Sequence, residues 1–214
     1  IIDKFFGAYK NCDAWVLNQG EKGFVALLKV LLGNNVQTSR VCEPVEGCIT
    51  FSPTRSAYLG PEPEPLEDLD EIPSPYLTGL LDPFFEMGLT PMIETNRSCP
   101  YRCTFCAFGI GSTKLYRYSD ERVKEDIDYI AKRSKKSPLL FIADANFSIL
   151  PRDIDVARHI YKSHVDKGWP GHVFCYWNKS NSKQVMKVAK EFKGLCPVQA
   201  SMQSLNPDTL GAIK

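Results

Sequence analysis

At 214 residues the chain is long enough for one full domain or parts of two, and its hydrophobic content of 43% is ample for a core. A formal charge of +1 gives no overall basic field, so the composition does not support nucleic-acid binding. Residues 1–10 lack the pattern of a signal peptide, and no apolar run reaches the roughly 18 residues of a membrane span. We therefore expect a globular, soluble protein.

Eight cysteines are present, and their spacing argues against a disulfide scaffold. Three of them lie too close together for such a scaffold, and the apolar content supports an ordinary core. A reducing, cytoplasmic compartment fits better. The other five are scattered and are expected to be small buried apolar residues: Cys12, Cys42, Cys48, Cys175 and Cys196.

The first third of the chain predicts a strand, a turn and a helix, followed by a connector. A short apolar strand over Ala14–Leu17 precedes a helix over Phe24–Leu32, whose apolar residues recur with a period near 3.6. One such unit cannot bury both of its faces, so we expect the natural protein to begin upstream. In the connector, Val41–Cys42 and Cys48–Phe51 are predicted to pair as a hairpin, and a proline-rich stretch follows. The apolar residues of 69–85 suggest packing against a neighbour.

Three closely spaced cysteines follow the short apolar run Met92-Ile93, which is typical of a buried strand. Cys99, Cys103 and Cys106 therefore lie on a loop leaving a strand, where an α/β barrel carries its chemistry. Soft thiolate ligands suit an iron-sulfur cluster or another metal. A structural zinc site needs four ligands, and no fourth is near in the sequence. Zinc binding and free thiols remain the alternatives.

From Pro91 onward strands and helices alternate, which predicts a parallel sheet with crossover helices. Ser119 is predicted to cap the first helix, with Val123, Ile127 and Ile130 on its buried face. Ser182 and Asn206 are predicted caps of later helices. Three further strands are predicted: Leu139–Ala143, Val173–Trp177 and Val198–Met202.

The cysteine spacing, with Phe105 directly before the third cysteine, resembles the radical S-adenosylmethionine (radical SAM) family. The resemblance implies that Cys99, Cys103 and Cys106 bind three irons of a 4Fe-4S cluster and that SAM chelates the fourth. Reductive cleavage of SAM then gives a 5'-deoxyadenosyl radical. A radical SAM core usually has six β/α units, and only about four are visible here.

Two further stretches resemble a large cobalamin-binding subfamily of these proteins. Residues 12–31 are similar to the last strand and helix of its Rossmann-like cobalamin domain, and residues 69–85 resemble its connection to the barrel. The resemblance implies an α/β chain with three parts, truncated at both ends. They are the end of the cobalamin-binding domain (1–35), a hairpin and Pro-rich connector (36–90), and a partial radical SAM (β/α) barrel (91–214).

The resemblance also implies which residues contact SAM. Asp144 and Asn146 follow the second strand, where relatives receive the amino group of SAM, and capping a helix is their alternative role. The run from Ser201 to Pro207 is similar to a Gln-Ser-Leu segment of several radical SAM enzymes, in which the glutamine approaches the ribose. The expected SAM contacts are Phe105, Ala107, Phe108, Asp144, Asn146, Ser201 and Gln203.

The predicted function is that of a radical SAM enzyme acting on a small molecule, with cobalamin-dependent methyl transfer as the first hypothesis. An external donor such as flavodoxin or ferredoxin would supply electrons. Cobalamin binding is an implication of the subfamily, because its histidine motif lies outside this sequence. The alternatives are a methylthiotransferase-like enzyme and a non-catalytic iron-sulfur redox or binding protein.

Overall fold

The computed structural model describes residues 8–9, 11–33, 41–54, 56–106 and 113–213. Contacts divide the chain into two compact units, Ile1–Glu67 and Asp68–Lys214. The domain bounds at residues 35 and 90 follow the family resemblance and stay a prediction. Across the described ranges, none of the helices combines the length and the apolar character that crossing a membrane requires.

The first unit is a small antiparallel sheet with one helix. Its elements are β1 (Trp15–Val16), α1 (Glu21–Gly33), β2 (Cys48–Phe51) and β3 (Ala57–Leu59). The predicted strand, turn and helix are confirmed, with the helix beginning three residues before the expected Phe24. The predicted hairpin is wrong in its pairing, because β2 pairs with β1 and β3 and not with Val41–Cys42. Val41 is instead buried in the core, so the apolar pattern marked burial and not pairing.

The core of this unit consists of α1 packed on β2. Leu27, Val41, Val45 and Cys48 are its buried members. Glycine permits a close backbone approach between helix and hairpin, since a Cβ on Gly23 would lie 2.9 Å from the backbone oxygen of Gly47. The Cys48 thiol donates to the Gly23 carbonyl at 3.3 Å, so this cysteine has the structural role predicted from the sequence.

Gly60→Ala is expected to destabilise the first unit. An added Cβ would lie 1.7 Å from the Val45 carbonyl oxygen, and backbone on both sides leaves little room for relaxation. We expect the free energy of unfolding in urea to fall by about 2 kcal/mol or more, at the upper end of overpacking costs. Gly33→Ala is the matched control, because a Cβ there meets nothing within 4 Å. Equal unfolding midpoints for the two variants would contradict this packing.

The second unit contains a three-stranded parallel sheet and crossover helices. Its first elements are α2 (Asp82–Glu86), β4 (Met92–Ile93), β5 (Asn96–Arg97), β6 (Tyr116–Arg117) and α3 (Asp120–Arg133). The rest are β7 (Leu139–Phe147), α4 (Asp153–Lys167), β8 (His172–Trp177), α5 (Ser182–Phe192) and α6 (Pro207–Ala212). The sheet order is β4-β7-β8, and both pairings are parallel, as predicted.

The helix signals of the sequence are largely confirmed. The Ser119 hydroxyl caps α3 by accepting from the Arg122 amide, and Val123, Ile127 and Ile130 are buried. Asn206 caps α6 through its side chain. The predicted cap at Ser182 is wrong by one residue, because the Asn181 side chain accepts from the Gln184 amide. Asparagine and serine both favour this position, so the sequence alone does not choose between them.

Two strand predictions need correction. The second strand extends through Phe147 instead of ending at Ala143, so Asp144 and Asn146 lie inside it. The fourth predicted strand, 198–202, has no strand structure, and its apolar side chains Val198 and Met202 are exposed. The chain meets β8 just before that segment, where the Val173 amide donates to the Leu195 carbonyl at 2.8 Å.

The segment 69–85 packs on the second unit through some of its apolar residues. Leu69, Tyr76 and Phe85 are buried, while Leu80 is 71% exposed. The Tyr76 hydroxyl donates to the Met92 carbonyl at 2.8 Å and accepts from the Met92 amide at 3.0 Å. The segment therefore fixes the start of β4, the strand that leads to the cysteines.

Candidate functional site

The cysteines lie on a loop that is closed at its base. We define the cysteine loop as the described residues 98–106 and 113–115, between β5 and β6. These strands pair antiparallel, with Arg97 opposite Tyr116. Because β5 follows β4 closely, the loop begins beyond the carboxyl end of the parallel sheet. That is the edge where α/β folds place binding and catalytic groups.

The three loop cysteines have the chemistry of cluster ligands. Cys99, Cys103 and Cys106 are partly buried free thiols, and a turn joins two of them, with the Cys106 amide donating to the Cys103 carbonyl at 3.0 Å. Over the described ranges, no three His, Cys, Asp or Glu side chains form a group that could hold a metal ion. Three thiols are the donor type that an iron-sulfur cluster takes. Their assignment as cluster ligands stays a prediction.

Three contacts fasten the cysteine loop to separate parts of the second unit. The Asn146 amide nitrogen of β7 donates to Cys99 Sγ at 3.0 Å. The Tyr101 hydroxyl donates to Asn178 Oδ1, directly after β8, at 2.8 Å. The Thr104 amide donates to the Ile213 carbonyl, just beyond α6, at 3.1 Å. The loop that carries the thiols is thus positioned by the ends of two strands and one helix.

Asp144 holds the chain immediately before the cysteine loop. It is fully buried, and its carboxylate accepts from the Thr95 amide at 2.6 Å and from the Thr95 hydroxyl at 2.5 Å. Asn96 donates to the same carboxylate from its amide at 3.2 Å and from its side chain at 2.6 Å. Every one of these donors lies on Thr95 or Asn96, so a single side chain fixes the transition from β4 to β5.

Arg152 supports the same turn from the other side. Its guanidinium donates to the Thr95 carbonyl and to the Asp120 carboxylate, both at 2.7 Å. The Arg152 side chain is only 7% exposed, so these are charge-assisted hydrogen bonds in a shielded place. Asp144 of β7 and Arg152, directly before α4, therefore both contact this turn, and Arg152 links it to Asp120 of α3.

An irregularity in β7 directs its polar side chains. Ile142 is opposite Cys175 of β8, while Phe147 is opposite Trp177, so β7 advances five residues where β8 advances two. Such a bulge changes the direction of side chains and is frequent beside active sites. Here Asp144 and Asn146 lie within it, and both contact the chain around the cysteines.

Burial moves the titration of the Asp144 carboxyl toward neutral pH. Burial raises the pKa of Asp144 to about 7, although hydrogen bonds from Thr95 and Asn96 act in the opposite direction. Burial likewise raises the pKa of nearby Asp153 to about 6. The unfolded chain releases these protons near pH 4 and the folded chain holds them longer. Their contribution is therefore most favourable below pH 4 and is lost as the pH rises through 6 to 7.

Asp144→Asn is expected to flatten the pH dependence of stability. Between pH 5 and 8 the wild type should lose about 2 to 3 kcal/mol more of its free energy of unfolding than the variant. Burial lowers the pKa of His159, which acts in the opposite direction but is common to both proteins. Urea unfolding at several pH values measures the difference. Parallel pH profiles would show that Asp144 does not titrate in this range.

The predicted SAM contacts are spread over several segments. Phe105 is 60% exposed on the cysteine loop, and Ser201 and Gln203 are exposed in the segment before α6. Ala107 and Phe108 lie outside the described residues. Asp144 and Asn146 are buried behind the loop. The contacts of all seven with SAM stay predictions.

Sequence reasoning missed the residues that position the loop. No spacing pattern marks these residues in the sequence, because their hydrogen-bonding partners are far away in the chain. They are Thr95, Asn96, Tyr101, Arg152 and Asn178. A buried carboxylate needs hydrogen-bond donors, so the position of Asp144 near a strand end was the available signal. Arg97, directly before the cysteine loop, pairs with Glu94 at 2.8 Å.

Comparison with known proteins gives related sequences over nearly the whole chain. No family model matches. The chain is 32% identical over 219 residues to the cobalamin-dependent radical SAM methyltransferase TokK of Streptomyces tokunonensis, covering 98% of this chain and 31% of that protein. The 2-(S-pantetheinyl)-carbapenam-3-carboxylate methyltransferase of Streptantibioticus cattleyicolor gives the same identity and coverage. The chain thus spans about a third of the length of these curated relatives.

A solved structure shows the same fold. The cobalamin-dependent S-adenosylmethionine radical enzyme OxsB, with aqua-cobalamin and S-adenosylmethionine bound, aligns with a TM-score of 0.60 at 19% identity. The alignment covers 91% of this chain and 28% of that chain. The sequence relatives and the shared α/β fold agree with the resemblance carried by the cysteines. Over about a third of their length, the chain is therefore a homologue of cobalamin-dependent radical SAM enzymes.

Proposed function

We propose that the protein carrying this chain is a cobalamin-dependent radical SAM enzyme that transfers a methyl group to a small molecule. The observation that carries the proposal is the 32% identity, over 98% of this chain, to a curated cobalamin-dependent radical SAM methyltransferase. The free cysteine trio beyond the carboxyl end of a parallel sheet supports it. Both relatives at this identity are named methyltransferases, which favours methyl transfer over methylthiolation.

In this proposal Cys99, Cys103 and Cys106 bind a 4Fe-4S cluster. When bound, the cluster would supply the electron that cleaves SAM to methionine and a 5'-deoxyadenosyl radical. The residues of this chain hold the thiols in place for that chemistry. Asp144 fixes Thr95 and Asn96 at the start of the loop, and Tyr101 connects the loop to Asn178.

The SAM contacts proposed from the resemblance divide by position. Phe105, Ser201 and Gln203 are exposed and accessible to a ligand. Asn146 lies against a cluster ligand, while Asp144 has its oxygens occupied by Thr95 and Asn96. We therefore assign Asp144 to support of the loop and keep the other residues, with Ala107 and Phe108, as SAM contacts.

The same proposal assigns a domain to each of two parts of the chain. Residues 91–214 form part of a radical SAM (β/α) barrel, and residues 1–35 form the end of a Rossmann-like cobalamin-binding domain. The order β4-β7-β8, with parallel pairing, supports the barrel. A small electron-transfer protein such as flavodoxin or ferredoxin would supply electrons.

Anaerobic reconstitution of the full-length protein tests the proposal. The protein is loaded with iron and sulfide, reduced with dithionite and incubated with SAM, and 5'-deoxyadenosine is measured by chromatography. We expect this product and a change in the cluster spectrum when SAM is added. A reducible cluster whose spectrum ignores SAM would instead indicate a redox protein. Tetrahedral zinc uptake with no iron uptake would contradict the proposal entirely.

A further inference from the structure

A hydrogen bond from β7 reaches one of the proposed cluster ligands. We infer that Asn146 is a positioning residue for the cluster, whose side-chain amide donates to Cys99 Sγ and thereby raises the reduction potential. The donor nitrogen lies 3.0 Å from the sulfur, and Asn146 is only 2% exposed. The inference rests on the proposed function, since it concerns the cluster that the function requires.

The chemistry of the sulfur determines how the amide must point. A cysteine that ligates iron is a thiolate without a hydrogen, so it can only accept a hydrogen bond. Asn146 must then present its nitrogen and not its oxygen. In the structure it does so, and its Oδ1 is buried with no hydrogen-bond partner among the described residues. Rotation of the amide would direct an acceptor at the thiolate, which is repulsive.

The surroundings hold this amide in place. Asn146 lies in the bulge of β7, between buried Asp144 and buried Phe147. Before Asn146 in the strand, four hydrogen bonds fix Asp144. After it, the Phe147 carbonyl accepts from the backbone amide of Asn178 at 2.8 Å. The contact with Cys99 therefore comes from a braced strand and not from a flexible loop.

Reduction of a 4Fe-4S cluster adds one electron, and part of that charge resides on the sulfur ligands. A donor directed at a ligand sulfur stabilises the added charge and favours the reduced form. Removal of the donor should make reduction harder without changing the number of ligands. This separates a tuning role from a purely structural one.

Asn146→Leu tests the inference in the reconstituted full-length protein. The midpoint potential of its cluster is measured by titration with dithionite, which adds one electron per cluster. Electron paramagnetic resonance monitors the reduced form at each potential. At a fixed solution potential we expect the ratio of reduced to oxidised cluster to fall about tenfold, which is 59 mV for a one-electron couple. Iron content is measured in parallel and should match the wild type.

Two aspartate variants complete the test. Asn146→Asp keeps the side-chain shape but replaces the donor by an acceptor. If the leucine variant takes up no cluster, the potential of Asn146→Asp tests the inference in its place. Asn178→Asp adds the same charge to another buried asparagine, one that contacts Tyr101 and not a sulfur. We expect a clearly larger fall in potential for Asn146→Asp than for Asn178→Asp.

The outcomes distinguish this inference from the function on which it rests. Equal potentials for the wild type and Asn146→Leu would overturn the inference and leave the function intact. Equal shifts for the two aspartate variants would assign the effect to charge and would also overturn it. A wild-type protein that binds no iron-sulfur cluster would overturn both.

Discussion

A Cys103→Ala protein is expected to produce no 5'-deoxyadenosine above background after reconstitution and reduction. Cys103 lies on the cysteine loop, partly buried and free of a disulfide, and its carbonyl accepts from the Cys106 amide at 3.0 Å. Loss of residues outside the ligand set commonly costs on the order of 10- to 100-fold in metal affinity, so loss of a ligand should exceed that range. Iron content and product formation are measured on the same preparation.

Cys42→Ala is the matched control for this experiment. The prediction that Cys42 is buried is wrong. Cys42 is an exposed free cysteine outside the cysteine loop, so its removal changes the thiol count in the same way. We expect iron uptake and product formation at the wild-type level. If Cys42→Ala loses the cluster as fully as Cys103→Ala, the assignment of ligands is wrong.

Replacement of Asp144 by leucine is expected to lower the free energy of unfolding by about 3 to 5 kcal/mol, because several buried donors lose their acceptor at once. Those donors are the amides of Thr95 and Asn96, the Thr95 hydroxyl and the Asn96 side chain. Leucine supplies no acceptor for them. Urea unfolding gives the energy, and hydrogen exchange of the Thr95 and Asn96 amides gives the location.

Glu125→Leu provides the comparison, since Glu125 is an exposed carboxylate on α3. Surface changes of this kind are usually within about 0.5 kcal/mol. The two amides should exchange faster in Asp144→Leu and at the wild-type rate in Glu125→Leu. Unchanged exchange in Asp144→Leu would mean that the carboxylate does not hold the start of the loop.

Local signals in the sequence were sufficient for the helices and the parallel sheet. The Ser119 cap and the buried residues Val123, Ile127 and Ile130 act within one helix, so their spacing is enough to predict them. The spacing of the three cysteines indicated a resemblance to the radical SAM family for a similar reason. Three ligands within a short loop form a pattern that needs no distant partner.

Long-range partners explain what the sequence did not reveal. The end of β7 was placed too early because Asp144 and Asn146 interrupt an apolar run, and polar residues in a strand become favourable only with buried partners. Those partners, Thr95, Asn96 and Cys99, lie 47 to 49 residues before the side chains that they contact. Residues 198–202 show the converse, since an apolar pattern typical of a strand forms no strand there.

Closure of the cysteine loop at its base has an evolutionary consequence. Because Arg97 and Tyr116 are paired, a change in length between Cys106 and Tyr116 need alter neither this pairing nor the spacing of the cysteines. A moderate change in loop length also costs little entropy, since the cost grows only with the logarithm of length. Lineages can therefore diversify the surroundings of the cysteines while inheriting an unaltered scaffold.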